Sequence, residues 1–175
     1  MAIAQEMRAA IYHGPFQEML ERLNEDKNWR QIFGKQNKRG KDQELILRFL
    51  ALKFRGSSYS ESMKRFLNEF MEERRDAKKA KIKKYEMEFR KTCELAVRCL
   101  GEKPFRPIRA LNVAVFDSCM VALAKMKNAD AALVKRNYKR LLNNSEYQAA
   151  TKKSTASESN VKSRIRLATR YLNEG

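Results

Sequence analysis

Asp42-Gln-Glu-Leu-Ile-Leu-Arg-Phe-Leu-Ala-Leu-Lys-Phe54 decides the fold, because it is a long segment that is apolar on nearly every side. Leu45, Ile46, Leu47, Phe49, Leu50, Leu52 and Phe54 leave no polar face wide enough for solvent. A helix over about 42–55 must therefore be a central one, packed by others. Asp42 suits an N-cap or first-turn acid, Glu44 adds charge favoured at the positive end of the helix dipole, and Gly56 supplies a stop. Arg48 interrupts the apolar run: its guanidinium either reaches out along its stem or is held inside by a carboxylate.

Working outward, the flanking patterns are helical too. Toward the N-terminus, Ile3, Met7, Ala10 and Ile11 share a helical spacing that stops at His13-Gly14-Pro15. A second helix starts at Pro15, with Phe16, Met19, Leu20 and Leu23 on one side. Residues 28–34 read as a short helical turn offering Trp29, Ile32 and Phe33 as an aromatic plug, and 35–41 as a polar basic loop. Beyond Gly56, the hydroxyls of Ser57 to Ser60 offer a cap for the stripe Met63, Phe66, Leu67, Phe70 and Met71. After a charged run over 72–84, the stripe Ile82, Tyr85, Phe89, Cys93, Ala96 and Leu100 marks a second long helix ending at Gly101, continuous with the first or broken from it. Pro104 and Pro107 enforce a loop; Asn112 then caps a helix over 113–126, and Asp130 or a neighbour starts one over 131–142. A shorter turn at 145–150, a polar linker at 151–160 and a final basic helix over 161–172 complete the chain. No period-two alternation and no internal repeat is present, so we expect one all-α domain over 1–175, with six to eight helices around the central one and no sheet.

Charge is the dominant compositional fact. Thirty-eight Lys+Arg against 21 Asp+Glu give a net charge of +17, which points to a polyphosphate partner, nucleic acid and DNA first. No apolar run approaches the roughly 20 residues a membrane span requires, so no membrane partner is expected. Cys93, Cys99 and Cys119 are odd in number, lack a CxxC spacing and sit inside helical patterns, which suits buried thiols in a reducing, cytoplasmic setting.

Four basic clusters stand out: Lys35, Lys38, Arg39, Lys41; Arg74, Arg75, Lys78, Lys79, Lys81, Lys83, Lys84; Lys135, Arg136, Lys139, Arg140; and Lys162, Arg164, Arg166, Arg170. Helical spacing puts Arg74, Lys78 and Lys81 on one face, so they could track phosphates about a turn apart without reading bases. The first two clusters are our candidate contacts, whereas the C-terminal one suits a solvated helix face. Catalytic chemistry has little support. His13 is the single histidine and suits a structural turn; Glu25-Asp26-Lys27 and Asp76-Ala77-Lys78 lack the strand context that would aim them at a metal. No metal site, P-loop, GxGxxG or GxSxG is present, and no cofactor is expected. Asp117 lies on an apolar face and needs a structural partner, for which Arg48 or Arg8 would serve.

Several stretches taken together carry a family likeness. Gln5-Glu6-Met7-Arg8, Tyr12-His13-Gly14-Pro15-Phe16, Trp29 and Lys41 to Phe49 are followed in order by Met63-Lys64-Arg65-Phe66-Leu67-Asn68, Phe105-Arg106, Asn112 to Asp117 and Val161 to Ile165. In this order the chain resembles the helical C-terminal half of the ParB/sulfiredoxin-like domain family found in GmrSD-type modification-dependent restriction and anti-phage proteins. The resemblance implies a preceding ParB-like α/β half that carries the nucleotide-dependent nuclease motifs. Those motifs have no counterpart in this chain, so the resemblance implies a non-catalytic partner or fragment with Gln5, Glu6 and Arg8 at the junction. A helical protein-interaction scaffold with an apolar patch at Ile3, Met7 and Ile11 is the competing expectation, and a complete nuclease the third.

Overall fold

Capping side chains set six of the helix starts. The computed structural model describes residues 4–174, which form ten α-helices and a short 3-10 turn, with no strand among the described residues. In chain order the helices are α1 Ala4–Ile11, α2 Pro15–Asn24, α3 Lys27–Phe33, α4 Lys41–Arg55, α5 Met63–Glu72, α6 Lys79–Leu100, α7 Val113–Leu123, α8 Ala131–Leu142, α9 Ser145–Lys152 and α10 Glu158–Asn173. The all-α class is as expected, but the count exceeds six to eight because short segments complete true helices. Asp26 caps α3 by accepting from the amides of Asn28 and Trp29, and Asn144 caps α9 by accepting from Tyr147. Asn112 and Asp130 cap α7 and α8 in the same way.

Other boundaries differ from the sequence expectation. Ser62, not the hydroxyls of Ser57 to Ser60, caps α5, accepting from the Arg65 amide at 3.4 Å. A turn over 73–78 separates α5 from α6, so the two are not one helix. The polar linker shrinks to 153–157, since Thr151 and Lys152 close α9 and Ser157 caps α10 a turn earlier than the apolar pattern begins.

The helix buried on every side is α7, in which each residue from Ala114 to Leu123 is buried. Helix α4 packs against α7, α2, α6, α5 and α1, but Lys41, Gln43, Glu44, Arg48, Lys53, Phe54 and Arg55 stay at or near its surface. Its apolar residues are dense enough to look all-round, yet two charged turns at its ends hold one side toward water. Helix α10 lies along α7 and buries Val161, Arg164, Leu167, Ala168 and Leu172, so it is part of the core and not an appended arm.

Trp29 sits at the aromatic centre, with its ring 5.6 Å from those of Phe89 and Phe116 and its Nε1 donating to Asn24 Oδ1 at 3.0 Å. The plug expected from α3 is therefore formed, with Phe33 only partly buried. Gly14 permits a close approach: a Cβ there would lie 2.9 Å from the Arg75 carbonyl oxygen. That contact seats the 73–78 turn against the start of α2, where the Phe16 amide donates to the same oxygen at 3.4 Å. All three cysteines are free and buried. No helix of the described residues is long and apolar enough to cross a membrane.

Candidate nucleic-acid interface

The first basic cluster occupies the loop between α3 and α4, and an acid inside the protein shapes it. Asp42 is fully buried in the first turn of α4, where its Oδ2 accepts from Arg30 Nη1 and from the Asn37 amide, each at 3.1 Å. Asn37 Oδ1 in turn accepts from the Arg39 amide at 3.0 Å, and Gly40 enters α4 with φ +68, a conformation that costs glycine little. The backbone is thus pinned from beneath while Lys35, Lys38, Arg39 and Lys41 all point outward and are exposed.

The second cluster surrounds the start of α6. Lys78 precedes the helix without a side-chain cap, and Lys79, Lys81, Lys83 and Lys84 are exposed on its first two turns. Lys84 lies 5.7 Å from the Phe54 ring centroid, a cation–π contact that leaves its charge unneutralised. Arg74 is not part of this face. It belongs to the preceding turn, its guanidinium 3.8 Å from the Phe70 centroid and bonded to Tyr85 Oη and Glu73. The helical register that grouped Arg74 with Lys78 and Lys81 fails because the chain is not helical between 73 and 78. Arg75 pairs with Asp76.

Helix α2 lies between the two clusters. Its Gln17 and Glu21 share a cleft with Lys38, and its Glu18 and Arg22 share another with Lys78, Lys79 and Lys83. Ten residues of helix span about 15 Å, so both clusters border a single short element.

Arginine and lysine divide the labour. Among the described residues, 13 of the 18 arginines form ion pairs, but only two of the 20 lysines do, Lys53 and Lys162. Guanidinium forks match carboxylates at two points, and arginines hold ten of the 12 acids that form these ion pairs. The positive surplus is left on lysine. None of Lys35, Lys38, Arg39, Lys41, Lys78, Lys79, Lys81, Lys83 or Lys84 has a carboxylate at ion-pair distance among the described residues.

Asp117, by contrast, is held between two arginines. Arg48 meets it with Nε at 3.1 Å and Nη2 at 2.5 Å, and Arg164 Nη2 lies 3.2 Å from the same Oδ2. Burial works against the charge on Arg48, but Asp117 beside it wins, so its pKa is raised; on Arg164 burial wins and the pKa is lowered. Arg164 also donates to the Thr155 carbonyl, and Tyr59 Oη donates to the Ala156 carbonyl, which ties the 153–157 loop down. Arg8 is not a partner of Asp117. It reaches Glu44, Asn68 and Gln5 instead, because α1 contacts α4 and α5 rather than α7. Arg164 stands on the stripe Val161, Arg164, Ala168, Leu172, and this spacing is the one signal of its burial in the sequence; the solvated-face expectation fits Lys162, Arg166 and Arg170 only.

A larger groove of about 680 Å³ lies between α4, α7 and α10. Four of its five cations, Lys53, Lys162, Arg166 and Arg170, already face a carboxylate, and only Lys125 does not, so it attracts anions less than the free clusters do. His13 is exposed in the α1–α2 turn. Among the described residues no three His, Cys, Asp or Glu side chains are placed to share a metal ion. No protein family, curated protein or solved structure matches the chain.

Proposed function

We propose that this chain is a non-catalytic helical module that holds nucleic acid, DNA first, by its phosphates. The context would be a restriction or phage-defence system of the kind its sequence resembles, with a ParB-like nuclease half or subunit as partner. One observation carries the phosphate reading: the exposed cations at 35–41 and at the start of α6 have no carboxylate at ion-pair distance among the described residues, while the ion pairs that form are made mostly by arginines. Lysine ammoniums on flexible stems bind phosphate as point charges and carry no base information. The test is binding of duplex DNA and RNA by the purified chain over a salt series, with magnesium present and substrate integrity followed. Affinity falling by orders of magnitude between low and moderate salt, with no cleavage, is expected. Salt-independent binding, or none at low salt, would defeat the proposal.

A second reading has an observation of its own. Met7 and Ile11 are 50% and 62% exposed on α1, an apolar pair that a protein partner would cover. Ile3, expected in the same patch, lies outside the described residues. A scaffold that binds protein and not nucleic acid would survive the loss of every free lysine.

A further inference from the structure

Helix α6 has an outer face that runs well beyond the lysines at its start. Its inner side buries Tyr85, Phe89, Cys93 and Ala96, which seats the 22-residue helix against the core along most of its length. On the opposite side Lys79, Lys83, Met87, Lys91, Glu94 and Arg98 follow one another three or four positions apart, and all are exposed. Side chains at that spacing stand in one row along a helix.

Four cations in this row stand against one acid. None of Lys79, Lys83, Lys91 and Arg98 has a carboxylate at ion-pair distance among the described residues, although Glu94 is a helical neighbour of Lys91 and Arg98. The flanking Glu86 and Arg90 are already paired, with Arg22 and Asp26. At the far end the segment after α7 brings another unpaired and exposed cation, Lys127, to a cleft it shares with Lys91, Glu94 and Arg98.

The geometry selects among nucleic acids. From Lys79 to Arg98 the row runs about 28 Å, the length of about eight base pairs of B-form duplex. A row fixed on one long helix is straight, and a duplex is a stiff, straight rod of charge that meets it without being reshaped. Single strands are held instead by aromatic side chains on which their bases stack. This row offers none, since Tyr85 and Phe89 are buried on the inner side.

We infer that the outer face of α6 is the bed of a DNA duplex, which lies lengthwise along it. Lys79 and Lys83 hold phosphates at the near end, and Lys91, Arg98 and Lys127 hold them at the far end. The inference rests on the phosphate-holding reading and extends it from the start of α6 to its other end.

The test is a salt series with a 16-base-pair duplex for the wild-type chain and two double variants. Lys91→Gln with Arg98→Gln removes two charges from the far end of the row. Lys152→Gln with Lys153→Gln removes two exposed charges at the end of α9, away from the row. All four side chains lack ion pairs, so neither variant disturbs the fold. The α6 pair should flatten the salt slope by about 2 and the α9 pair should leave it nearly unchanged. No loss for the α6 pair, or an equal loss for the α9 pair, would overturn the extension and leave the phosphate reading standing. A loss confined to a single strand of equal length, with the duplex unaffected, would overturn it as well. Failure of the wild-type chain to bind the duplex at low salt would overturn both.

Discussion

The start of α6 and the middle of α7 both gather positive charge, and the protein treats them in opposite ways. Around Asp117, two guanidiniums are withdrawn from water and aligned on one carboxylate, and Arg164 is also tied to the Thr155 carbonyl. At the start of α6, five ammoniums are exposed to solvent without a carboxylate partner among the described residues. Placing a cation inside is tolerable only with a fixed counter-charge, whereas a solvated cation keeps its charge for whatever arrives. Charge near Asp117 thus belongs to the fold, and charge near Lys78 is available for binding.

The difference breaks most visibly at Asp117. Asp117→Ala should lose about 3–5 kcal/mol of stability, since two buried guanidiniums would face each other without a counter-charge. Arg164→Met should cost less, because the Arg48 pair survives and the removed charge was the second on one carboxylate; urea unfolding of both variants checks the order. At the lysine end the outcome inverts. Changing Lys78, Lys79, Lys81, Lys83 and Lys84 to Gln should leave the urea midpoint nearly unchanged while lowering DNA affinity and flattening its salt slope by up to about 4. Unaltered DNA affinity would remove this cluster from the interface.

Alkaline pH gives the smallest and most gradual effect, and it again acts on the buried region. Burial pushes the Cys119 thiol from about 9 up to about 12, and Tyr138 and Tyr147 are raised as well, also by burial. A group whose folded pKa is raised is fully stabilising below its unfolded pKa, and the unfolded thiol ionises first as pH rises. Stability should hold up to about pH 9 and fall progressively toward 12, as melting temperatures at constant salt would record.

Much of the architecture is legible in the residues. Asn112 and Asp130 announce their helices, Pro15 opens α2, and Gly101 closes α6, because capping chemistry is local. Which helix lies innermost is not local: the apolar density of α4 exceeds what its packing buries, and α7 is covered only because α10 folds back on it. Arg48 with Asp117 was predictable as a demand for a counter-charge; that Arg164 joins them depended on the same long-range packing. For the interface, the clusters at 35–41 and 78–84 could be read from charge alone, whereas the removal of Arg74 required knowing that the helix breaks at 73–78. The far end of the α6 row carries no run of adjacent charges, so Lys91 and Arg98 gain meaning only once the buried side of that helix is known.

The Arg48, Asp117 and Arg164 cluster joins positions separated by 69 and 47 residues. During synthesis, α7 therefore emerges with Arg48 already made to meet Asp117 but with the side that α10 will cover still bare, and at roughly 5–20 residues per second it waits several seconds for α10. Over that interval the ribosome carries a sticky intermediate, a natural client for a holding chaperone.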